Sequence, residues 1–234
     1  LGESTTAGGW STSPDRCWVA QLSQLIGDFQ SSPPRVVNSG IGANLVSSSS
    51  PAYEVSGKPA ADVRLEKHLL AHDPDLAIIS YGLNDARGGT DLQQFLGSLR
   101  ELIRRIRAAP AQPPLILLLG PYHMTAVGFS DVFGDTWAHA DMQTFHEWNC
   151  AIEELATAES CLFTDVLGAN GGTDWMVHFD GVHANDLGHR IVAHAIFRTL
   201  AQNCSGLALQ TQAAEKASPR WRDESVLMAD FGFD

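Results

Sequence analysis

The stretch Leu76-Ala77-Ile78-Ile79-Ser80 followed by Tyr81-Gly82-Leu83-Asn84-Asp85 reads as a short apolar strand that runs into a polar turn. Asp91 then precedes a segment in which Leu92, Phe95, Leu96, Leu99, Leu102, Ile103 and Ile106 recur at intervals of three and four. That is the period of an amphipathic helix, with Asp91 placed as its N-cap. Arg104, Arg105 and Arg107 fall on the opposite, solvated side. A second apolar run, Leu115–Gly120, comes next. Strand, helix and strand in that order predict a parallel βαβ unit, because parallel neighbours are joined only by a long crossover.

The same alternation continues in both directions. Strands are expected at Arg35–Asn38 and Cys161–Asp165, and helices at Pro14–Phe29, Ala60–Ala71, Asp141–Glu159 and about Asn185–Gln202. Ser13 and Pro14 suit the cap and first position of the first helix. In the last helix, Leu187, Ile191, Val192, Ala195, Ile196 and Leu200 are expected to face inward. A doubly wound sheet calls for a strand immediately before Gly2. The reading favours a truncated strand there over replacement by the tail, although Ser225–Met228 has some strand character. Residues 1–204 are expected to form one domain and 205–234 an extension packed on or beside it.

The chain has 234 residues, with 15 Lys and Arg against 27 Asp and Glu, a net charge of −12. A charge of that sign argues against nucleic acid, whose phosphates are bound by clustered cations. No apolar run reaches the 18 or so residues of a membrane-spanning helix. The compartment stays open between cytoplasm and secretion. Cys17, Cys150, Cys161 and Cys204 lack CxxC spacing, so mostly buried free thiols are expected, with one disulfide as the alternative. The segment from Pro121 to Ala140 is too long for a plain connector, and loops of that length are usually functional.

In open parallel sheets ligands sit beyond the carboxyl ends of the strands. The loops there are chemically related. One carries Gly2-Glu3-Ser4, one Asn38-Ser39-Gly40-Ile41-Gly42-Ala43-Asn44, one Gly82-Leu83-Asn84-Asp85, and the approach to the last helix carries Asp180-Gly181-Val182-His183. A hydroxyl, small residues with accessible N–H groups, an amide, and an acid with a histidine are the parts for acyl transfer.

These four blocks, in this order over about three quarters of the chain, resemble those of the SGNH or GDSL hydrolase superfamily. The resemblance implies a three-layer α/β/α fold with a mostly parallel, flavodoxin-like sheet. It makes Ser4 the nucleophile, His183 the general base and Asp180 the carboxylate that orients it. The oxyanion donors would be the Ser4 N–H, the N–H of Ala43 or Gly42, and the Asn84 side chain. Glu3 stands where the family has Asp, and Ala43 where it usually has Gly. No metal or organic cofactor is implied.

The expected activity is serine-dependent hydrolysis of short-chain acyl esters, acetyl above all, on a small-molecule or carbohydrate partner. Lysophospholipase, lipase or thioesterase activity is the alternative within the family, and an inactive carbohydrate-binding domain the alternative outside it. His178, Asp180, His183, Asp186 and His189 lie close enough in sequence to raise a metal site, but no HExxH occurs. Trp137, Trp175 and Phe179 are candidates for an aromatic wall, and Tyr122, His123 and Met124 for the rim of the pocket.

Overall fold

The computed structural model describes residues 1–109, 112–217 and 224–232. Three strands, β1 (Leu76–Ser80), β2 (Leu115–Leu119) and β3 (Leu162–Thr164), pair in parallel in that order, with Leu76 opposite Leu115 and Leu117 opposite Leu162. Ile116, Leu117, Leu118 and Leu119 are each at most 2% exposed. A strand buried on both faces requires cover on both, which is why β2 reads as a continuous apolar run.

The sheet extends past β1 by single bridges. Gly2 bridges Ser80 on one side and Gly40 on the other, both in parallel. Ser80 donates its N–H to the Leu1 carbonyl at 3.0 Å, and Ile41 donates to that of Gly2 at 3.1 Å. In chain order the positions run 2-1-3-4-5, the flavodoxin-like order. The place beside β1 is thus held by Leu1 and Gly2 and not by the tail, which forms helices at Ser205–Ala217 and Ser225–Ala229. Ser225–Met228, which has some strand character in sequence, is helical, with Val226 77% exposed.

Arg35–Asn38 is also not a strand. Pro33 and Pro34 remove two backbone donors just before it, and Val36 and Val37 lie exposed. Only Gly40 keeps the pairing. It has to be glycine, because a Cβ there would stand 2.1 Å from the Ala7 nitrogen.

On one side of the sheet the Trp18–Gly27 helix packs on Asp186–Asn203. The other side carries Ala61–His68, Leu92–Ala108 and Met142–Ala158. Asp91 caps its helix by accepting from the N–H groups of Gln93 and Gln94, and Asp141 forms a capping box with Thr144. Two expected helices are shorter and broken. Pro14–Arg16 is a 3-10 turn separate from Trp18–Gly27, and a second 3-10 turn, Leu70–His72, follows Ala61–His68. Leu187 is half exposed because the inward stripe runs through His189, Val192, Ala193, Ile196 and Leu200, and Leu187 lies about 200° round the helix from His189. Leu207 is buried in the main core. All four cysteines are free, but only Cys17 is buried and Cys150 is exposed.

Candidate active site

Ser4 opens a one-turn helix, Ser4–Ala7, directly after the Gly2 bridge, so the hydroxyl stands at the carboxyl edge of the sheet. The turn closes at Gly8, which takes the left-handed conformation at φ 92°. The chain then doubles back, with the Gly9 N–H donating to the Ser4 carbonyl at 2.8 Å. A Cβ on Gly9 would sit 2.9 Å from that carbonyl oxygen and 3.3 Å from Cδ2 of His183. This close approach lets the imidazole reach the serine.

His183 precedes the Asp186–Asn203 helix, 179 positions after Ser4 in the chain. Its Nε2 lies 2.8 Å from Ser4 Oγ, and its Nδ1 lies 2.6 Å from Asp180 Oδ2. The other Asp180 oxygen accepts the N–H groups of Val182 and His183 at 3.0 and 3.1 Å, so acid and imidazole are fixed by one turn of backbone. Burial alone would push the Asp180 carboxyl up. The Val182 N–H, the His183 ring and the His183 N–H outweigh it and hold the group below its ordinary range.

Asn84 is buried in the turn after β1. Its side-chain amide donates to the Asn44 carbonyl at 3.2 Å, and its backbone N–H donates to Glu3 Oε2 at 3.1 Å. Ala43 adopts φ 53°, a left-handed conformation rare for alanine, and its carbonyl accepts from Ser56 Oγ at 2.5 Å. A Cβ on Gly42 would meet nothing within 4 Å. The structure therefore brings Ser4, His183 and Asp180 into one hydrogen-bonded chain, with the Asn44 and Asn84 turns tied to each other and to Glu3.

Sequence reasoning missed the scaffold under these loops. Arg64 is 4% exposed and donates to Asn44 Oδ1, the Ser39 and Gly2 carbonyls and Tyr81 Oη, joining the first two blocks. A buried arginine needs buried acceptors, and those of Arg64 lie in other loops, distant in the chain. Asp85, fully buried, accepts the Val46 N–H at 2.9 Å. Burial raises its pKa to about 7. Burial and the nearby Asp85 charge also push Glu3 well above the ordinary carboxyl value. Arg87 is buried too, and its Nε and Nη2 have no hydrogen-bond partner.

Of the histidines and acids that raised a metal site, His178, Asp180 and His183 stay together, whereas Asp186 and His189 are engaged elsewhere. His178 stacks on Trp10, and Asp186 accepts from Thr12 and Arg16. His189 is fully buried between the Trp18 N–H and the Gly9 carbonyl. Among the described residues no three His, Cys, Asp or Glu side chains are grouped as ligands to one ion would be. Tyr122 and Met124 pack beneath the long loop, the former with its hydroxyl 2.7 Å from Ser80 Oγ, and His123 pairs with Asp174. Trp175 and Phe179 are 84% and 91% exposed and so are not core. A cavity of about 660 Å³ is lined by Trp18, Leu22, Ile26, Val37, Leu76 and Leu200 and is not bounded by Ser4, Asn84, Asp180 or His183. No helix among the described residues is long and apolar enough to cross a membrane.

Residues 1–191 match the GDSL-like lipase/acylhydrolase family, a span that takes in the Ser4 turn, the Asn44 and Asn84 turns and the Asp180–His183 turn. The chain belongs to that family. It is a carboxylic ester hydrolase of the GDSL type. No curated protein matches it closely. Among solved structures, this GDSL-like hydrolase is similar to the lipase/acylhydrolase from Enterococcus faecalis, with a TM-score of 0.65 and 22% identity over 85% of this chain and 92% of that one. It is also similar to Axe2, an acetylxylan esterase from Geobacillus stearothermophilus, with a TM-score of 0.61 and 21% identity over 85% and 91%. At such identities the likeness concerns the fold.

Proposed function

We propose that this GDSL-like hydrolase cleaves short-chain acyl esters, acetyl esters of carbohydrates foremost, through an acyl-enzyme on Ser4. The observation that carries the reading is the chain Ser4 Oγ, His183 and Asp180, with separations of 2.8 and 2.6 Å. A serine hydroxyl is a weak nucleophile until a base within hydrogen-bond reach takes its proton. His183 accepts that proton as Oγ attacks the ester carbonyl, and Asp180 stabilises the imidazolium from the other side.

The oxyanion of the tetrahedral intermediate needs donors fixed beforehand. Ser4 is the first residue of its helical turn, so its N–H has no partner within that turn. Asn84 and the Ala43 N–H supply the others. His183 then passes its proton to the departing alcohol, and water activated by the same ring releases the acid and restores Ser4. The acetyl-carbohydrate part of the reading is supported by exposed aromatic rings beside the serine and by the fold shared with a protein described as an acetylxylan esterase.

The test is hydrolysis of p-nitrophenyl acetate by the wild type and Ser4→Ala, with fluorophosphonate labelling of both. Loss of turnover and of label in Ser4→Ala is expected. Equal activity in the two proteins overturns the mechanism, and a preference for acyl chains of eight or more carbons turns the substrate reading towards lipase or lysophospholipase.

A further inference from the structure

Three rings form a cluster beside the serine. Trp10 stacks on His178 with centroids 4.4 Å apart and planes 14° from parallel. His178 contacts Phe179 at 3.9 Å, Phe179 lies 6.2 Å from Trp10, and the Trp10 ring is 6.5 Å from that of His183. Yet Trp10 is 52% exposed and Phe179 91%. Large aromatic surfaces left in water next to a reactive group mark a place where something binds.

The cluster is held rigidly. Trp10 sits at φ 63°, a left-handed conformation that a bulky residue adopts only when its surroundings impose it. They do so here, because the preceding turn is fastened by Gly9 N–H to the Ser4 carbonyl, by the N–H and hydroxyl of Ser11 to the Gly8 carbonyl, and by the Gly9 carbonyl to His189. His178 donates its N–H to the His183 carbonyl at 2.8 Å, and its Nδ1 accepts the Asp180 N–H at 3.3 Å. The rings are thus presented by the same two turns that hold Ser4, Asp180 and His183.

Their position selects one half of an ester. The leaving oxygen must face His183 to receive its proton, so the alcohol departs on the histidine side, whereas the carbonyl oxygen lies towards Asn84 and Ala43. The rings stand on the histidine side. Their open edge suits a group that is flat, carries C–H bonds on one face and continues into water on the other. A pyranose ring has those properties, and a flexible acyl chain would need an enclosed groove instead.

We infer that Trp10, with His178 and Phe179, forms an alcohol subsite that stacks one pyranose ring of an acylated sugar while Ser4 takes the acyl group. This rests on the serine-esterase reading above and adds which residues choose the alcohol. Stacking of this kind is worth roughly a 3- to 10-fold change in binding.

The experiment compares kcat/KM for an acetylated methyl xyloside with that for ethyl acetate, which has no ring to stack. In Trp10→Ala the ratio of the two is expected to fall about 3- to 10-fold, mostly through KM for the glycoside, and Trp10→Phe is expected to restore part of it. A ratio unchanged in Trp10→Ala, whatever the absolute rates, overturns the inference and leaves the serine mechanism standing. Ethyl acetate turnover that persists in Ser4→Ala overturns the serine reading and the subsite with it.

Discussion

Glu3 Oε2 accepts the backbone N–H of Asn84 at 3.1 Å, so the residue before the proposed nucleophile fastens the residue proposed to hold the oxyanion. The distance between hydroxyl and amide is thereby set by a carboxyl group buried beneath both. Glu3→Gln preserves an acceptor of the same length and is expected to stay within a few-fold of wild-type kcat. Glu3→Ala strands the buried Asn84 N–H, which costs about 1–3 kcal/mol of stability. It is also expected to lower kcat more than it raises KM. Urea unfolding and steady-state kinetics on one short-chain ester read both effects.

Asn84→Ala removes the amide proposed to donate to charge that develops only in the transition state. A fall in kcat of roughly 10²–10³ with little change in KM is expected. A fall confined to KM would instead assign Asn84 to ground-state binding.

Asp180→Asn keeps the shape of the turn but loses the carboxylate that accepts the hydrogen bond from His183 Nδ1. By analogy with buried triad acids, kcat is expected to drop about 10⁴-fold. Circular dichroism and thermal melting of the same sample check that the fold is intact.

Asp85 gives a pH signature in stability. Its pKa is raised by burial to about 7, so between the unfolded value of 3.8 and 7 the folded chain holds a proton that the unfolded chain has lost. Rising pH through that window destabilises the fold, by at most about 1.4 kcal/mol per pH unit for one proton. Asp85→Asn lacks this term. The stability advantage of the wild type over the variant is therefore expected to shrink from pH 4 to pH 7 and level off above, measured by urea unfolding at several pH values.

Ala43 at φ 53° carries backbone strain that glycine does not feel. Ala43→Gly keeps the N–H and is expected to retain activity while gaining about 0.5–1 kcal/mol, some 1–4 °C in Tm. A loss of activity at unchanged stability would show that the alanine methyl shapes the acyl side of the site.

The features that were legible in sequence are those with local physical causes. β1, β2 and the Leu92–Ala108 helix follow from apolar period, and Asp91, Asp141 and Asn185 cap the helices they precede. The blocks that carry Ser4, Asn84, Asp180 and His183 stood out as strand-end loops bearing a hydroxyl, an amide and an acid with a histidine, and their proposed roles came from the resemblance to the SGNH or GDSL blocks. Arg35–Asn38 misled because an apolar pair after two prolines has the composition of a strand without the donors for one. Trp10, Arg64 and the burial of His189 were hidden for another reason. Each depends on partners far away in the chain, such as the Gly2 carbonyl for Arg64 and the Gly9 carbonyl for His189.

The contact between Ser4 and His183 spans 179 positions, and His183 stands just before the Asp186–Asn203 helix, which packs against the Trp18–Gly27 helix. During synthesis the serine emerges long before its histidine, and the two meet only after nearly the whole domain has left the ribosome. Under the proposed mechanism a nascent chain is chemically silent towards esters. Competence then arrives in one late step, and a protease nick that frees the Asp186–Asn203 helix is expected to abolish it just as abruptly.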